Sequence, residues 1–399
     1  MFKHPIPLHS EQSRGPGKQR RPYLEPIAFP KDNPPFADPP ARQPTNFVLP
    51  LSSFAPDRAE EAEAAGKLVF QAVGDTGGIN GVETQEAVAN AMEAQIAKAS
   101  APAPAFFYQL GDVIYYDGQS GFYGSQFYEP YQYYPREIVA IPGNHDGDTR
   151  VRGNDPPPDG PSLAGFMSNF CDSRRNSIYP YRQTMTQPYC WWVLDAPFVT
   201  IIGLYSNIEG TLDPRGGFEQ QRFLQTQLVA ASNKFLCVAV HHPPYSLDSY
   251  HGGTGDIASS IDRAMQASGR APDLVLSGHV HSYQRFTRKF PMAGSQGHEL
   301  KRTLPYIVAG AGGFANAPRA LHKIQTNPRT GRPPANGTKC TSHVDKALDL
   351  TIEAHNDQDP SFLRVTVTDS ELRVEAFAVP FDGPPPADPF DSVQIVKQA

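Results

Sequence analysis

This chain has no excess of basic residues. Its 35 Lys and Arg stand against 41 Asp and Glu, for a formal net charge of −6. Without a basic patch there is no electrostatic grip for nucleic acid or an anionic membrane surface, and the short Lys18–Pro22 run (KQRRP) does not alter that. No apolar run approaches the roughly 18 residues that a membrane span requires. The opening stretch MFKHPIPLHSEQSRGPGKQRRP also lacks an apolar h-region, and Arg20-Arg21 leads into Pro-Tyr-Leu-Glu. The chain as written therefore reads as cytoplasmic, or as secreted or periplasmic if a leader has been removed. Cysteine is scarce as well: Cys171, Cys190, Cys237 and Cys340 are too few and too irregular for a disulfide framework. Cys237 lies in an apolar run and reads as a buried thiol, while Cys171 and Cys190 stay open to a disulfide or a reduced pair. The sequon Asn336-Gly337-Thr338 has meaning only on secretion. Missing too are a Cys-x5-Arg loop, a G-x-S-x-G elbow and a Walker A sequence, so none of the usual nucleophile or phosphate-loop devices competes for the chemistry.

What the chain does hold is enough apolar material for a real core: 39% of 399 residues are hydrophobic, sufficient for one large domain or two ordinary ones. Residues 1–65 are Pro-rich with little apolar periodicity, which predicts a largely irregular arm, and the tail over 381–399 (DGPPPADPF within it) reads the same way. Between them, residues 66–380 alternate apolar runs with amphipathic segments. Lys67–Gly74, Ala105–Gly111, Glu137–Pro142, Lys234–Val240, Pro272–Ser277 and Leu304–Ala309 read as strands, and Cys190–Leu204 as a strand pair around Asp195-Ala196-Pro197. Val82–Ala99, Gly217–Ala231 and Asp256–Ser268 read as helices. Phe362–Thr368 and Glu371–Val379 form a hairpin across Asp369-Ser370. Strands alternating with helices and finishing antiparallel imply an α/β sandwich with mixed sheets. Two stretches, Asp146–Pro188 and Phe314–Pro360, fit no regular element and are expected as long loops beside the site.

Five polar clusters each follow an apolar strand: Gly74-Asp75-Thr76-Gly77-Gly78, Gly111-Asp112-Val113-Ile114-Tyr115, Gly143-Asn144-His145-Asp146, His241-His242-Pro243-Pro244 and Gly278-His279-Val280-His281. Ligands in open α/β sheets bind beyond the carboxyl ends of the strands. Five such ends bring two Asp, one Asn and at least three His to one crevice. Carboxylate, amide oxygen and imidazole together suit first-row metals such as Fe, Mn or Zn. Taken singly, each cluster has a plain structural reading: a Gly-Asp turn, a helix cap, a core His beside a surface one, or two His on one strand face. All five plain readings would have to hold together, in order, at strand ends, and that conjunction favours a metal site.

The ordered set resembles the calcineurin-like metallophosphoesterases, and within them the purple acid phosphatases of the small single-domain type. The family motifs D-x-G, G-D-x-x-Y, G-N-H-(D/E), V-x-x-H and G-H-x-H stand here as Asp75-Thr76-Gly77, Gly111–Tyr115, Gly143–Asp146, Val238–His241 and Gly278–His281. The resemblance covers roughly residues 67 to 315 and implies a four-layer α/β/β/α metallophosphoesterase-like sandwich, with 66–380 as the catalytic domain. It also implies two metal ions, Fe with Fe, Zn or Mn: one on Asp75, Asp112, Tyr115 and His281, the other on Asp112, Asn144, His241 and His279. Tyr115 marks the purple acid phosphatases, because a phenolate suits a strongly acidic ion such as ferric iron; its alternative is aromatic packing beside Tyr116, Phe122 and Tyr123. His145 corresponds to the family's general acid. His242 and His251 are candidates for phosphate contact or, equally, surface residues.

Two ions about 3.5–4 Å apart clamp a phosphoester and activate water for in-line displacement. The expected substrate is a small-molecule or peptide phosphomonoester. A phosphodiesterase or nucleotide hydrolase on the same scaffold, or a non-catalytic binding protein that retains the fold, is the alternative. Redox chemistry at an iron pair would need a reductant partner of which the sequence gives no sign. The extra N-terminal β-domain of plant-type members has no strand pattern here, and Phe314–Pro360 has no counterpart in the family pattern.

Overall fold

In the computed structural model, the described residues are 45–98, 102–148, 161–213, 217–231, 233–293, 299–325, 342–345, 348–385 and 387–397. Most of the arm, Cys340 and the Asn336 sequon lie outside them. In chain order the elements are β1 (Val48–Pro50), α1 (Pro56–Ala65), β2 (Leu68–Val73), α2 (Glu83–Lys98), β3 (Phe106–Gln109), β4 (Glu137–Ala140), α3 (Asn144–Gly147), α4 (Ala164–Phe170), β5 (Trp192–Ala196) and β6 (Val199–Leu204). Then come α5 (Glu219–Ala230), β7 (Phe235–Val240), α6 (Gly255–Ser268), β8 (Leu274–Ser277), β9 (Tyr283–Ala293), β10 (Glu299–Ala309), β11 (Ser342–Asp345), β12 (Leu350–Asn356), β13 (Ser361–Val367), β14 (Glu371–Ala378) and β15 (Asp391–Val396).

Two mixed sheets result. One has nine strands in the order β1-β5-β6-β7-β8-β10-β9-β12-β11, the other six in the order β15-β14-β13-β2-β3-β4. Strands β2, β3 and β4 run parallel, as do β6, β7 and β8. The central strands β2, β3, β6, β7 and β8 are buried along their whole length, which is why they read as continuous apolar runs rather than alternating ones. The sheets meet face to face: Tyr108 of β3 stacks on Trp192 of β5 with ring centroids 5.9 Å apart. Helix α2 covers the other face of the six-stranded sheet, where Gln71 Nε2 donates to Met92 O at 3.0 Å. Helices α5 and α6 cover the nine-stranded sheet and are tied together by Gln221 Nε2 donating to Ser260 O. This is the four-layer α/β/β/α sandwich, and both sheets deliver strand ends to one rim.

Four expectations need correction. Residues 45–65 are not irregular, since β1 pairs parallel with β5 and α1 follows it. The tail contributes β15, an edge strand antiparallel to β14. Tertiary pairing supplies what the Pro-rich context hides, because an edge strand needs partners on only one side. The stretch Asp146–Pro188 contains α4, and Phe314–Pro360 contains β11 and β12, the latter pairing with β9. Cys171 and Cys190 are free thiols, as is the buried Cys237. No described helix is long and apolar enough to cross a membrane.

Candidate metal centre

Asp75 sits two residues past β2 and Asp112 three past β3, with Asn144 beyond β4, His241 directly after β7, and His279 and His281 beyond β8. Three of these residues hold a left-handed backbone: Asp75 at φ 58°, Asp112 at φ 53° and His279 at φ 66°. Such a conformation costs a non-glycine residue of order 1–3 kcal/mol and persists where the surroundings over-determine it. Here they do. Asp75 N–H donates to Gly111 O at 2.9 Å, His279 N–H to Asp75 Oδ2 at 2.7 Å, and Asp112 Oδ1 accepts His145 N–H at 2.9 Å. The turn before Asp112 needs glycine twice over: Gly111 has φ +95°, and a Cβ there would lie 2.4 Å from His241 Nδ1. Gln109 pins that turn through both its amide atoms, accepting from Gly111 N–H at 2.7 Å and donating to Gly111 O at 3.0 Å. Gln126 clamps Tyr115 in the same manner, at 2.8 and 2.7 Å.

The side chains gather into two sets. In the first, Tyr115 Oη lies 3.1 Å from Asp75 Oδ1 and 3.2 Å from His281 Nε2, and His281 Nε2 lies 3.4 Å from Asp75 Oδ1. In the second, Asn144 Oδ1 lies 3.1 Å from His241 Nε2 and 2.9 Å from His279 Nδ1, and Asp112 Oδ2 lies 3.3 Å from His241 Nε2. Among the described residues, Asp112, His241 and His279 present ligand atoms within 4.8 Å of one another. Both carboxylates are buried, Asp75 completely. Buried ionised groups are paired or coordinate metals. Burial by itself would lower the His241 pKa, yet the charges of Asp112 and then Asp75 raise it to about 9, so this pocket favours positive charge. Burial alone would raise Asp112; His241 and then His145 outweigh it and hold that carboxyl below its ordinary range. Burial pushes Asp75 up despite His241. Hard carboxylate and phenol oxygens, one amide oxygen and three imidazoles are a donor set that suits first-row metal ions.

The remaining predicted residues divide. His145 packs its ring 4.5 Å from that of Tyr115, and its Nδ1 lies 2.7 Å from the Tyr116 carbonyl. His251 lies with its ring 4.2 Å from His279. His242 is no surface residue: it is 2% exposed, its Nδ1 is 2.7 Å from Ser206 Oγ, and its ring is 4.1 Å from His279.

Several residues have roles that the motifs do not state. The Asp146 carboxylate accepts the backbone N–H of Val113, Ile114 and Gly143, at 3.1, 3.3 and 2.7 Å, binding two ligand loops together. Burial, with Asp112 next, raises its pKa to about 7. Ser206, Asp248 and His322 also approach the site and belong to no motif, and Phe314 packs its ring 4.2 Å from that of Tyr115.

Purple acid phosphatase 22 of Arabidopsis thaliana is 25% identical over 118 residues, 28% of this chain and 26% of its own, so the match spans about a quarter of that relative. Purple acid phosphatase PPD1 from yellow lupin (Lupinus luteus) seeds superposes with a TM-score of 0.55 at 16% identity, over 83% of this chain and 54% of its own. GAP50 of Plasmodium, described as the anchor in the inner membrane complex, gives a TM-score of 0.51 at 12% identity, over 83% of this chain and 90% of its own. At these identities the solved structures speak to the fold alone. A family model for calcineurin-like phosphoesterases matches residues 69–283, more than half of the sequence and the whole span from β2 to the start of β9 that carries both donor sets. The chain therefore belongs to the calcineurin-like phosphoesterase family.

Proposed function

We propose that the protein is a binuclear-metal phosphoesterase that hydrolyses small-molecule or peptide phosphomonoesters in the manner of the purple acid phosphatases. The observation that carries this reading is the meeting of two buried donor sets around Asp112, whose charge acts on both Asp75 and His241. Asp75, Asp112, Tyr115 and His281 would hold one ion, and Asp112, Asn144, His241 and His279 the other; Fe with Fe, Zn or Mn suits these donors. Bound there, the pair supplies Lewis acidity toward the phosphoryl oxygens and an activated water for in-line attack.

The chain's own groups complete the reaction. The Tyr116 carbonyl can only accept, so Nδ1 of His145 carries a hydrogen, and the ring delivers a proton to the leaving alkoxide from Nε2 when it is an imidazolium. His251 contacts a phosphoryl oxygen beside His279. His242, bound to Ser206, holds the His279 ring in place rather than meeting substrate.

The test is turnover of a chromogenic monoester by the full chain reconstituted with Fe, Mn or Zn, alongside metal analysis. Hydrolysis with about two ions bound per chain supports the proposal. Binding of metal without turnover under any of the three sinks it, and faster cleavage of an aryl diester than of the monoester moves the protein to the diesterases.

A further inference from the structure

Four histidine rings stand in a row across the centre. From His279 to His251, His322 and His281, successive ring centroids lie 4.2, 4.8 and 4.2 Å apart. The outer two belong to different donor sets. Of the inner two, His322 comes from the stretch after Phe314 that carries no motif.

Its placement is firmly built. Residues 321–325 run antiparallel to 247–249: Ser249 N–H donates to Lys323 O at 2.9 Å, Gln325 N–H to Leu247 O at 2.8 Å, and Asp248 bridges Ile324. Gln325 Nε2 adds a bond to Asp248 O at 3.0 Å, and Ile324 N–H donates to Asp357 Oδ2 at 3.1 Å. The same pairing holds His251, whose N–H donates to Asp248 Oδ2 at 2.5 Å. His322 is joined twice to His281, its own N–H donating to His281 O at 3.0 Å and its Nδ1 accepting His281 N–H at 3.1 Å. The two rings stack with an interplanar angle of 19°. Because a backbone N–H can only donate, Nδ1 of His322 is the acceptor, and the hydrogen of the neutral ring sits on Nε2. That leaves Nε2–H as the ring's remaining donor.

We propose that His322 is a substrate contact, its Nε2–H donating to a phosphoryl oxygen held between the two donor sets, with His251 alongside. This rests on the phosphoesterase reading and deepens it. A phosphoryl group spanning both sets directs at least one oxygen away from them, and that oxygen needs a donor from outside the ligand loops. A ring fixed by a hydrogen bond at Nδ1 and a stacked neighbour offers one already oriented, which is the condition for a hydrogen bond to favour binding without an ordering cost. The alternative is that His322 merely braces His281.

The experiment compares wild type, His322→Ala and His322→Gln, each reconstituted as the full chain with one metal. It reads bound metal, thermal melting, calorimetric affinity for inorganic phosphate, and KM and kcat for p-nitrophenyl phosphate. The expected result is unchanged metal content with phosphate binding and KM weakened about tenfold or more in His322→Ala. His322→Gln, whose side-chain amide replaces the donor, returns to within about threefold of wild type. Phosphate affinity in His322→Ala within about twofold of wild type at full metal content overturns the contact. So does a loss that follows loss of metal in both variants, which makes His322 a brace for His281. Wild type that binds phosphate but turns over no ester would sink the hydrolase reading alone, since the calorimetric comparison needs no turnover. Wild type that binds metal but no phosphate overturns the contact.

Discussion

Tyr115 donates its hydroxyl hydrogen to Asp75 Oδ1 across 3.1 Å, and the Tyr115 Oη lies 3.2 Å from His281 Nε2. Burial, followed by the charges of Asp112 and Asp75, pushes the phenol well above its ordinary value, so without metal Tyr115 is a neutral donor. A phenol in that setting gives up its proton only to a strongly acidic cation. If such an ion is bound, the protein shows a broad visible absorption that is lost in Tyr115→Phe. On the proposed reading, the variant should keep metal at Asn144, His241 and His279 and lose affinity for metal at Asp75 and His281. Absorption spectra and metal analysis of the two proteins, taken together, check this; an unchanged band would place the chromophore elsewhere.

His145 provides a different signature. Replacing it by Ala should lower kcat about 10²–10⁴-fold for alkyl phosphates, whose leaving alkoxides need a proton. The loss should be much smaller for p-nitrophenyl phosphate, whose leaving group departs unprotonated, and KM should hardly change. An equal loss on both substrates removes the acid role.

Gly143→Ala tests the backbone that shapes the centre. A Cβ at Gly143 would lie 2.1 Å from Asp112 Oδ1, so Asp112 must leave its position. Since Asp112 faces both donor sets, metal affinity is expected to fall about 10–100-fold, with the circular dichroism spectrum retained. Titration of the metal-free protein measures it, and wild-type affinity would contradict the placement of Asp112.

Asp391 joins the two sheets. In β15 of the six-stranded sheet, its carboxylate accepts from Arg285 Nε at 2.7 Å, Arg285 Nη2 at 2.9 Å and Tyr283 Oη at 2.6 Å, all from β9 of the nine-stranded sheet. Both charged side chains are under 10% exposed. Asp391→Ala leaves Arg285 buried without a countercharge and should destabilise by about 3–5 kcal/mol in urea unfolding, whereas replacing both by apolar residues should recover much of it.

The same pair sets an acid limit. Burial alone would raise the Asp391 pKa, but Arg285 and then Tyr283 outweigh it and hold the carboxyl below its usual value. A depressed folded-state pKa contributes stability that is fully present above the unfolded value of about 3.9 and is lost as pH falls through the folded one. Wild type should therefore lose more stability than Asp391→Ala as pH is lowered from about 5 to about 3, with the two curves parallel above that window. Parallel curves throughout would show that the pair does not titrate with folding.

The residues that cluster at the strand ends were readable because each follows a buried parallel strand, and a continuous apolar run ending in Gly-Asp or Gly-His carries its own punctuation. Helices α2, α5 and α6 were readable for a similar reason, their apolar positions recurring at three- and four-residue spacing. Strands β9, β11, β12 and β15 gave no comparable signal. In β12 buried and half-buried positions alternate only over its first half, and β15 follows a Pro-rich run that suppresses a strand reading.

The amino-acid sequence by itself determined which atoms the centre has to offer, because motif spacing fixes residue type and strand-end position, and these are local properties. Only the tertiary structure decided how those atoms are held. Asp146 reaches back to Val113, Arg285 finds Asp391 across 106 positions, and His322 stacks on His281 from a segment with no motif. Each of these depends on long-range pairing of strands or loops, whose register is set by burial and partner availability rather than by any pattern within the segment itself.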